Sequence, residues 1–147
     1  MVTVLLVRHA DVDTTTGAPD SEPLSVKGQK RAQTLARVLG MGGIAAIFTS
    51  KVERTEKTAE PLAASLGLVT RDTPAPAALA AQIASGTLGA AILVVGHSNT
   101  VPKIIKALGG PLLPSIGHDK FDNLFVVTVA GPGTAEMVHL KYGEPAP

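Results

Sequence analysis

Three predicted buried strands of this chain are each followed directly by polar side chains that can take part in chemistry. These side chains are Arg8 and His9 after the first strand, Ser50 and Arg54 after the second, and His97, Ser98 and Asn99 after the third. Arginine binds phosphate oxygens through paired hydrogen bonds, and helix N-termini favour anions. Provided that the three strand ends meet, the two arginines and two histidines predict a cationic pocket that binds a phosphoryl group.

Hydrophobic periodicity and turn residues indicate the elements that would position these side chains. The predicted strands are Val2–Val7, Ile44–Phe48, Leu68–Arg71, Ala91–Val95, Leu124–Val129 and Ala135–Leu140. The predicted helices run from Ser25 to Gly40, from Lys51 to Gly67, from Pro74 to Ser85 with Asp72 or Thr73 as its cap, and from Asn99 to Leu108. Pro61 predicts a kink or a break in the second helix, because proline lacks the N–H that a helix interior uses.

Strands and helices alternate through the first two thirds of the chain, which is typical of an α/β fold. We therefore predict a three-layer α/β/α sandwich on a mainly parallel sheet of about six strands. Ligands of such sheets bind beyond the carboxyl ends of the strands. The predicted pocket lies at that edge of the sheet.

Composition limits the classes of protein that need to be considered. The 147 residues are 45% hydrophobic, which fits one domain over residues 1–147. A formal net charge of +1 gives no electrostatic reason to expect a nucleic acid or an acidic membrane as partner. The absence of cysteine excludes disulfides and a thiolate nucleophile. Because no apolar run approaches the ~18 residues of a membrane span and the apolar start lacks a preceding basic stretch, we predict a cytoplasmic protein.

Four short motifs resemble those of one known family. They are Leu6-Val7-Arg8-His9-Ala10, Leu24-Ser25-x-x-Gly28, Thr49-Ser50-x-x-x-Arg54-Thr55-x-x-Thr58 and Gly96-His97-Ser98. Their order and spacing over about residues 2 to 109 resemble the histidine-phosphatase superfamily, whose fold is phosphoglycerate-mutase-like. The joint occurrence is highly specific, although an Arg-His pair alone would be weak.

The resemblance implies a reaction at phosphorus. His9 is expected to attack in line and form a phosphohistidine, which water then cleaves. Arg8, Arg54 and His97 are expected to hold the phosphoryl oxygens, and the backbone N–H of Ser98 is expected to add a further contact. The resemblance implies no metal or other cofactor.

The general acid is the point at which this sequence departs from larger members of the family. Those that cleave alkyl esters usually carry a Glu or Asp after the second motif, whereas this chain has no Glu between Pro61 and Ala135. Asp11, close to His9 in sequence, is a possible proton donor. The departure favours phosphohistidine or phosphomonoesters with good leaving groups as substrates, as in the small bacterial phosphohistidine phosphatases. A broad-specificity phosphomonoesterase acting on small phosphorylated molecules stays open, and the oligomeric state is not predicted.

Two other functions compete with this interpretation. The segment Gly96-His97-Ser98-Asn99-Thr100 nearly matches the nucleophile elbow of serine hydrolases, with Asp119 and His139 following in hydrolase order. However, Thr100 replaces the final glycine, and the chain is short for an α/β-hydrolase. That interpretation also leaves Arg8, His9 and Arg54 unexplained. A non-catalytic phosphate-binding module is the other alternative.

Several polar residues near the motifs are predicted to be structural. Ser50 is predicted to cap the second helix, and Thr55 and Thr58 to fix the backbone of the second motif. The loop residues His118, Asp119 and Asp122 lack the regular spacing of metal ligands, so we predict no metal site there.

Overall fold

Strand β1, Val2–Arg8, lies inside a six-stranded sheet in the computed structural model of the chain, which describes residues 1–18 and 21–147. The other strands are β2 (Ala46–Thr49), β3 (Arg71–Asp72), β4 (Ala91–Gly96), β5 (Asn123–Gly131) and β6 (Thr134–Lys141). Their order across the sheet is β3-β2-β4-β1-β5-β6. The first four in this order are parallel, whereas β5 and β6 pair antiparallel with their neighbours. The prediction of a mainly parallel sheet of six strands is confirmed.

The helices cover both faces of the sheet. They are α1 (Val26–Leu39), α2 (Glu53–Leu66), α3 (Pro76–Ala84) and α4 (Thr100–Ala107). Leu35 of α1 and Leu62 of α2 are buried in one core, and Leu79 of α3 and Ile105 of α4 in the other. This arrangement confirms the α/β/α sandwich. In the part of the chain that the structure describes, no helix has the length and apolar character needed to cross a membrane.

Strand β1 contributes to both cores because its side chains alternate between the two faces. Val4 and Leu6 point into the α3–α4 core, and Val7 points into the α1–α2 core. All three are fully buried. The strand therefore has little freedom to shift, and it holds the polar residues at its end in a defined position.

Of the kink or break predicted at Pro61, the break is wrong, because α2 is one continuous helix from Glu53 to Leu66. A proline inside a helix costs about 3 kcal/mol. Here the flanking residues Ala59, Leu62 and Ala63 are all buried in the core beneath the helix. Burial of that face keeps the helix intact through the proline.

Several predicted element boundaries also differ from the structure, and three are shifted at the start of an element. Strand β2 begins at Ala46, β3 is shifted to Arg71–Asp72, and α3 begins at Pro76. The N-cap of α3 is Ala75, which has no side-chain cap hydrogen bond, so neither Asp72 nor Thr73 caps this helix. The two strands have these limits because residues 46–49 pair with β4 and residues 48–49 pair with β3. Pairing between strands, rather than local hydrophobicity, sets their ends.

Arg31 of α1 joins the segment after β1 to the C-terminal residues. Its Nε donates to Asp11 Oδ1 at 2.6 Å, and its Nη1 and Nη2 donate to the carbonyl oxygens of Tyr142 and Glu144, each at 2.9 Å. The Arg31 side chain is 1% exposed. We call this arrangement of Arg31, Asp11, Tyr142 and Glu144 the Arg31 clamp.

Candidate active site

The carboxyl ends of β1, β4 and β2 meet at one edge of the sheet. Arg8 pairs with Gly96, and Thr49 with Val95, so the residues that follow these strands come together. A cavity of about 280 Å³ opens there. Its lining consists of Arg8, His9, Val12, Glu22, Arg54, His97, Ser98 and Asn99. The structure therefore brings together Arg8, His9, Arg54, His97 and Ser98, and we call this space the His9 cavity.

His9 lies deep in this cavity, with only 5% of its surface exposed. Its Nδ1 is 2.9 Å from the carbonyl oxygen of Ala10. Because a carbonyl oxygen can only accept a hydrogen bond, Nδ1 carries the proton and Nε2 keeps its lone pair. The backbone is also held, since His9 N donates to Gly96 O at 2.9 Å and Ala10 N donates to Thr58 Oγ1 at 2.8 Å. The imidazole is thus fixed in one tautomer.

The surroundings of His9 favour its neutral form. The pKa of His9 is lowered to about 4, chiefly by burial. The positive charges of Arg8 and Arg54 and the ring of His97 also lower this pKa, whereas the hydrogen bond to the carbonyl oxygen of Ala10 raises it. Burial, followed by the charges of Arg54 and Arg8, also lowers the pKa of His97. At neutral pH the unprotonated Nε2 of His9 is therefore available as a nucleophile.

Arg8 is oriented by the loop that precedes β5. Its Nη1 donates to the carbonyl oxygens of Gly117, His118 and Lys120 at 3.0 to 3.2 Å. The guanidinium carbon lies 4.1 Å from the centre of the Phe121 ring, which also approaches the His9 ring. Burial and the charge of Arg54 lower the pKa of Arg8. Arg8 and Arg54 both line the His9 cavity and form a site suited to an anion.

His97 is held by a chain of hydroxyl groups. Its Nε2 lies 2.8 Å from Ser50 Oγ, and Ser50 Oγ lies 2.9 Å from Thr55 Oγ1. Thr55 Oγ1 in turn lies within hydrogen-bond distance of the carbonyl oxygens of Ser50 and Val52, at 3.0 and 2.8 Å. The predicted cap role of Ser50 is wrong, because the N-cap of α2 is Val52. Ser50 instead fixes the ring of His97.

The second motif also holds the segment after β1. Thr58 Oγ1 accepts from Ala10 N and donates to the carbonyl oxygen of Arg54 at 2.7 Å. Thr55 and Thr58 are both fully buried. The predicted structural role of these two threonines is confirmed.

The structure does not support Asp11 as a proton donor. Its carboxylate faces Arg31, with Nε to Oδ1 at 2.6 Å and Nη2 to Oδ2 at 3.5 Å, and it does not line the His9 cavity. A carboxyl group that pairs with the buried Arg31 guanidinium and lies outside the cavity is not placed to donate a proton there. Asp119 and Asp122 do not line the cavity either.

Sequence reasoning missed Glu22. This partly buried residue lines the His9 cavity although it follows none of the three strands directly. The sequence did contain an indication of this position, since Glu22 directly precedes Pro23-Leu24-Ser25, the segment that leads into α1. Val12 and Phe121 were missed for the same reason, because each approaches the site from a loop.

The serine hydrolase alternative does not assemble in this fold. Ser98 lies in the His9 cavity, but the ring of His139 stacks on Phe125 and its Nε2 lies 2.8 Å from Asn123 Oδ1. His139 belongs to β6, three strands away from β4, which Ser98 follows. Neighbouring strands are about 4.8 Å apart, so the elements of the predicted triad are separated.

Among residues 1–18 and 21–147, no three His, Asp or Glu side chains are grouped so that they could hold a metal ion.

Comparison with known proteins agrees with this geometry. Residues 4–75, which include Arg8, His9 and Arg54, match the sequence model of the histidine phosphatase superfamily, branch 1. Over residues 4–75 the chain is identified with the histidine phosphatase superfamily. This identification supports a hydrolase of the phosphatase class. Comparison with curated protein sequences gave no match.

Solved phosphatase structures share the fold over nearly the whole chain. The protein histidine phosphatase SixA, solved with tungstate, has a TM-score of 0.78 at 18% identity over 95% of this chain and 97% of that chain. A mycobacterial glucosyl-3-phosphoglycerate phosphatase has a TM-score of 0.70 at 14% identity, over 96% and 98%. The alpha-ribazole phosphatase of Shigella flexneri has a TM-score of 0.72 at 14% identity, over 95% and 96%. At these identities the likeness concerns the fold.

Proposed function

We propose that this protein is a phosphatase that uses His9 as its nucleophile and passes through a phosphohistidine intermediate. The observation that carries the proposal is the state of His9. Its Nδ1 is committed to the Ala10 carbonyl, and its Nε2 keeps a lone pair in a cavity shared with Arg8, Arg54 and His97. A neutral nucleophile beside two arginines suits attack on an anionic phosphoryl group.

The reaction has two steps. In the first, His9 Nε2 forms a bond to phosphorus while the bond to the leaving group breaks, and the leaving group takes the electron pair. Arg8, Arg54 and His97 stabilise the charge on the phosphoryl oxygens, and the Ser98 backbone N–H adds a contact. In the second, water attacks the phosphohistidine and releases inorganic phosphate. Removal of one such preorganised donor typically costs on the order of a hundredfold or more in kcat.

The substrate class follows from the carboxyl groups near the site. No Glu lies between Pro61 and Ala135, and Asp11 is held by Arg31. With no Glu in that segment and with Asp11 outside the His9 cavity, the proton donor that larger family members use is missing, so an alkoxide departs with less assistance. We therefore propose phosphohistidine or phosphomonoesters with good leaving groups as substrates, in keeping with the similarity to SixA. The similarity to phosphatases of small molecules keeps a broad-specificity phosphomonoesterase as the alternative.

The test is the hydrolysis of p-nitrophenyl phosphate by His9→Ala, with His139→Ala as a matched control outside the cavity. We expect no turnover by His9→Ala and near-normal turnover by the control. Acid quenching of the unmodified enzyme during turnover should trap acid-labile phosphate on His9, identified by peptide mass spectrometry.

Two results would overturn the proposal. A fluorophosphonate that labels Ser98, together with an active His9→Ala variant, would establish a serine hydrolase. Tight phosphate binding without turnover of phosphohistidine, aryl phosphates or sugar phosphates would establish a binding module.

A further inference from the structure

Glu22 is held in place beside the catalytic segment by a short antiparallel ladder. Asp13 N donates to Pro23 O at 2.8 Å, Ser25 N donates to Asp11 O at 2.9 Å, and Val12 bridges Leu24. The backbone of residues 23–25 is therefore fixed against residues 11–13, which follow His9 closely. Glu22 directly precedes this ladder, so its position relative to His9 is defined by the fold.

The leaving group must point away from His9. In-line displacement places it on the side of phosphorus opposite the nucleophile, and His9 is buried in the interior of the cavity. The leaving group therefore points toward the mouth of the cavity. Glu22 and Arg54 also line an adjoining cavity of about 250 Å³, which includes Lys51 and Glu53. Glu22 thus lies between the two cavities, on the side of the His9 cavity toward which the leaving group points.

The charge of Glu22 is unusual for this position. Among the described residues that line the His9 cavity, Glu22 is the only one with a carboxyl group, and the others include two arginines. A carboxylate near an anionic phosphoryl group weakens binding through like-charge repulsion. It strengthens binding of a leaving group that presents an N–H or a positive charge, because charge-assisted hydrogen bonds are the strong ones.

We propose that Glu22 selects an imidazole leaving group by accepting a hydrogen bond from the ring nitrogen that is not bonded to phosphorus. This inference rests on the proposed function and refines it toward phosphohistidine. His9 Nε2 bonds to phosphorus, the P–N bond breaks, and its electron pair stays on the departing nitrogen. The substrate ring reacts in its cationic form, protonated at the other nitrogen, whose N–H donates to Glu22; the ring therefore leaves as a neutral imidazole that keeps this proton. The same carboxylate disfavours leaving groups that carry a negative charge, such as the glycerate released from a phosphoglycerate.

The experiment compares Glu22→Gln with the unmodified enzyme on phosphohistidine and on p-nitrophenyl phosphate. We expect kcat/KM for phosphohistidine to fall roughly ten- to a hundredfold, the effect of one lost charge-assisted hydrogen bond. The value for p-nitrophenyl phosphate should not fall, since its leaving group has no N–H to donate and the removed carboxylate repels its negative charge, so the ratio of the two values changes in favour of the aryl substrate. Retained activity on the aryl substrate also shows that the variant is folded.

Glu53→Gln is the matched control, because it removes the same charge from the adjoining cavity without altering the His9 cavity. It should leave the ratio of the two kcat/KM values unchanged. An equal loss on both substrates in Glu22→Gln, or no loss on phosphohistidine, overturns the inference. A selective loss on alkyl phosphates overturns it too, because Glu22 would then be a proton donor. In each case, hydrolysis of the aryl substrate that depends on His9 leaves the proposed function standing.

Discussion

The burial of His9 keeps its Nε2 reactive at neutral pH, but it lowers the free energy of unfolding of the protein at acidic pH. A buried neutral imidazole keeps its Nε2 lone pair at neutral pH, but the unfolded chain binds a proton more readily than the folded one. The pKa of His9 is about 4 in the fold, against 6.5 for an unperturbed histidine. Between these values the unfolded state holds the additional proton, so the free energy of unfolding decreases as the pH falls.

The replacement His9→Gln should therefore reduce the acid sensitivity of the protein. The contribution of His9 to the free energy of unfolding is fully present above pH 6.5. It is lost as the pH falls toward 4, and the loss is on the order of 3 kcal/mol. Urea unfolding at pH 7 and pH 4.5, in buffers without phosphate, measures the difference. We expect the difference to be smaller in His9→Gln than in the unmodified protein, and unchanged in the exposed control His118→Gln. An identical pH dependence in all three proteins would contradict the burial argument.

At the scale of elements, the start of α1 is packed directly on the segment after β1. Ser25 caps the helix by accepting from Gly28 N at 3.1 Å, and Ser25 N donates to Asp11 O. A Cβ on Gly28 would collide with the carbonyl oxygen of Asp11. The glycine of the Leu24-Ser25-x-x-Gly28 motif is thus required by close approach, and this contact helps to position His9.

The replacement Gly28→Ala should affect both stability and activity. The added methyl group must push α1 away from the backbone of Asp11, and overpacking of this kind typically costs about 1–3 kcal/mol. Because His9 lies two residues before Asp11, kcat should fall as well. Thermal unfolding and p-nitrophenyl phosphate turnover check both effects. Gly131→Ala is the control, since a Cβ there meets nothing within 4 Å; equal behaviour of the two variants would argue against the close-approach explanation.

At the scale of the whole molecule, the Arg31 clamp connects the first motif to the C-terminal residues. The guanidinium joins Asp11 to the carbonyl oxygens of Tyr142 and Glu144, more than a hundred residues along the chain. Tyr142 is also buried, and burial raises the pKa of its hydroxyl. Removal of one partner of a buried ion pair leaves an uncompensated charge, which costs about 3–5 kcal/mol.

A double-mutant cycle with Arg31→Met and Asp11→Asn tests the clamp. Arg31→Met should lower the free energy of unfolding by about 3–5 kcal/mol, and the double variant should lose less than the sum of the single losses. Asp11→Asn should affect aryl and alkyl phosphates equally, because its carboxylate faces Arg31. Additive losses would show that the pair is not coupled, and a selective loss on alkyl phosphates would restore Asp11 as proton donor.

The sequence by itself determined the α/β class and the residues that meet at the sheet edge. Each buried strand is a local apolar run, and Arg8, His9, Arg54 and His97 follow such runs closely. Parallel strands place their carboxyl ends at one edge. The convergence of these four side chains was therefore predictable, and Thr55 and Thr58 were also recognised as structural.

Only the tertiary structure decided which groups pair with which. Asp11 binds Arg31 rather than a leaving group, Ser50 contacts His97 rather than capping α2, and Glu22 enters the cavity from a loop. The hydrogen bond between Ser50 and His97 joins residues 47 positions apart. Local patterns report propensity and periodicity within one element, whereas side-chain partners depend on the distance between elements that are remote in sequence. The continuity of α2 through Pro61 has the same cause, because the packing beneath the helix outweighs the local preference of proline.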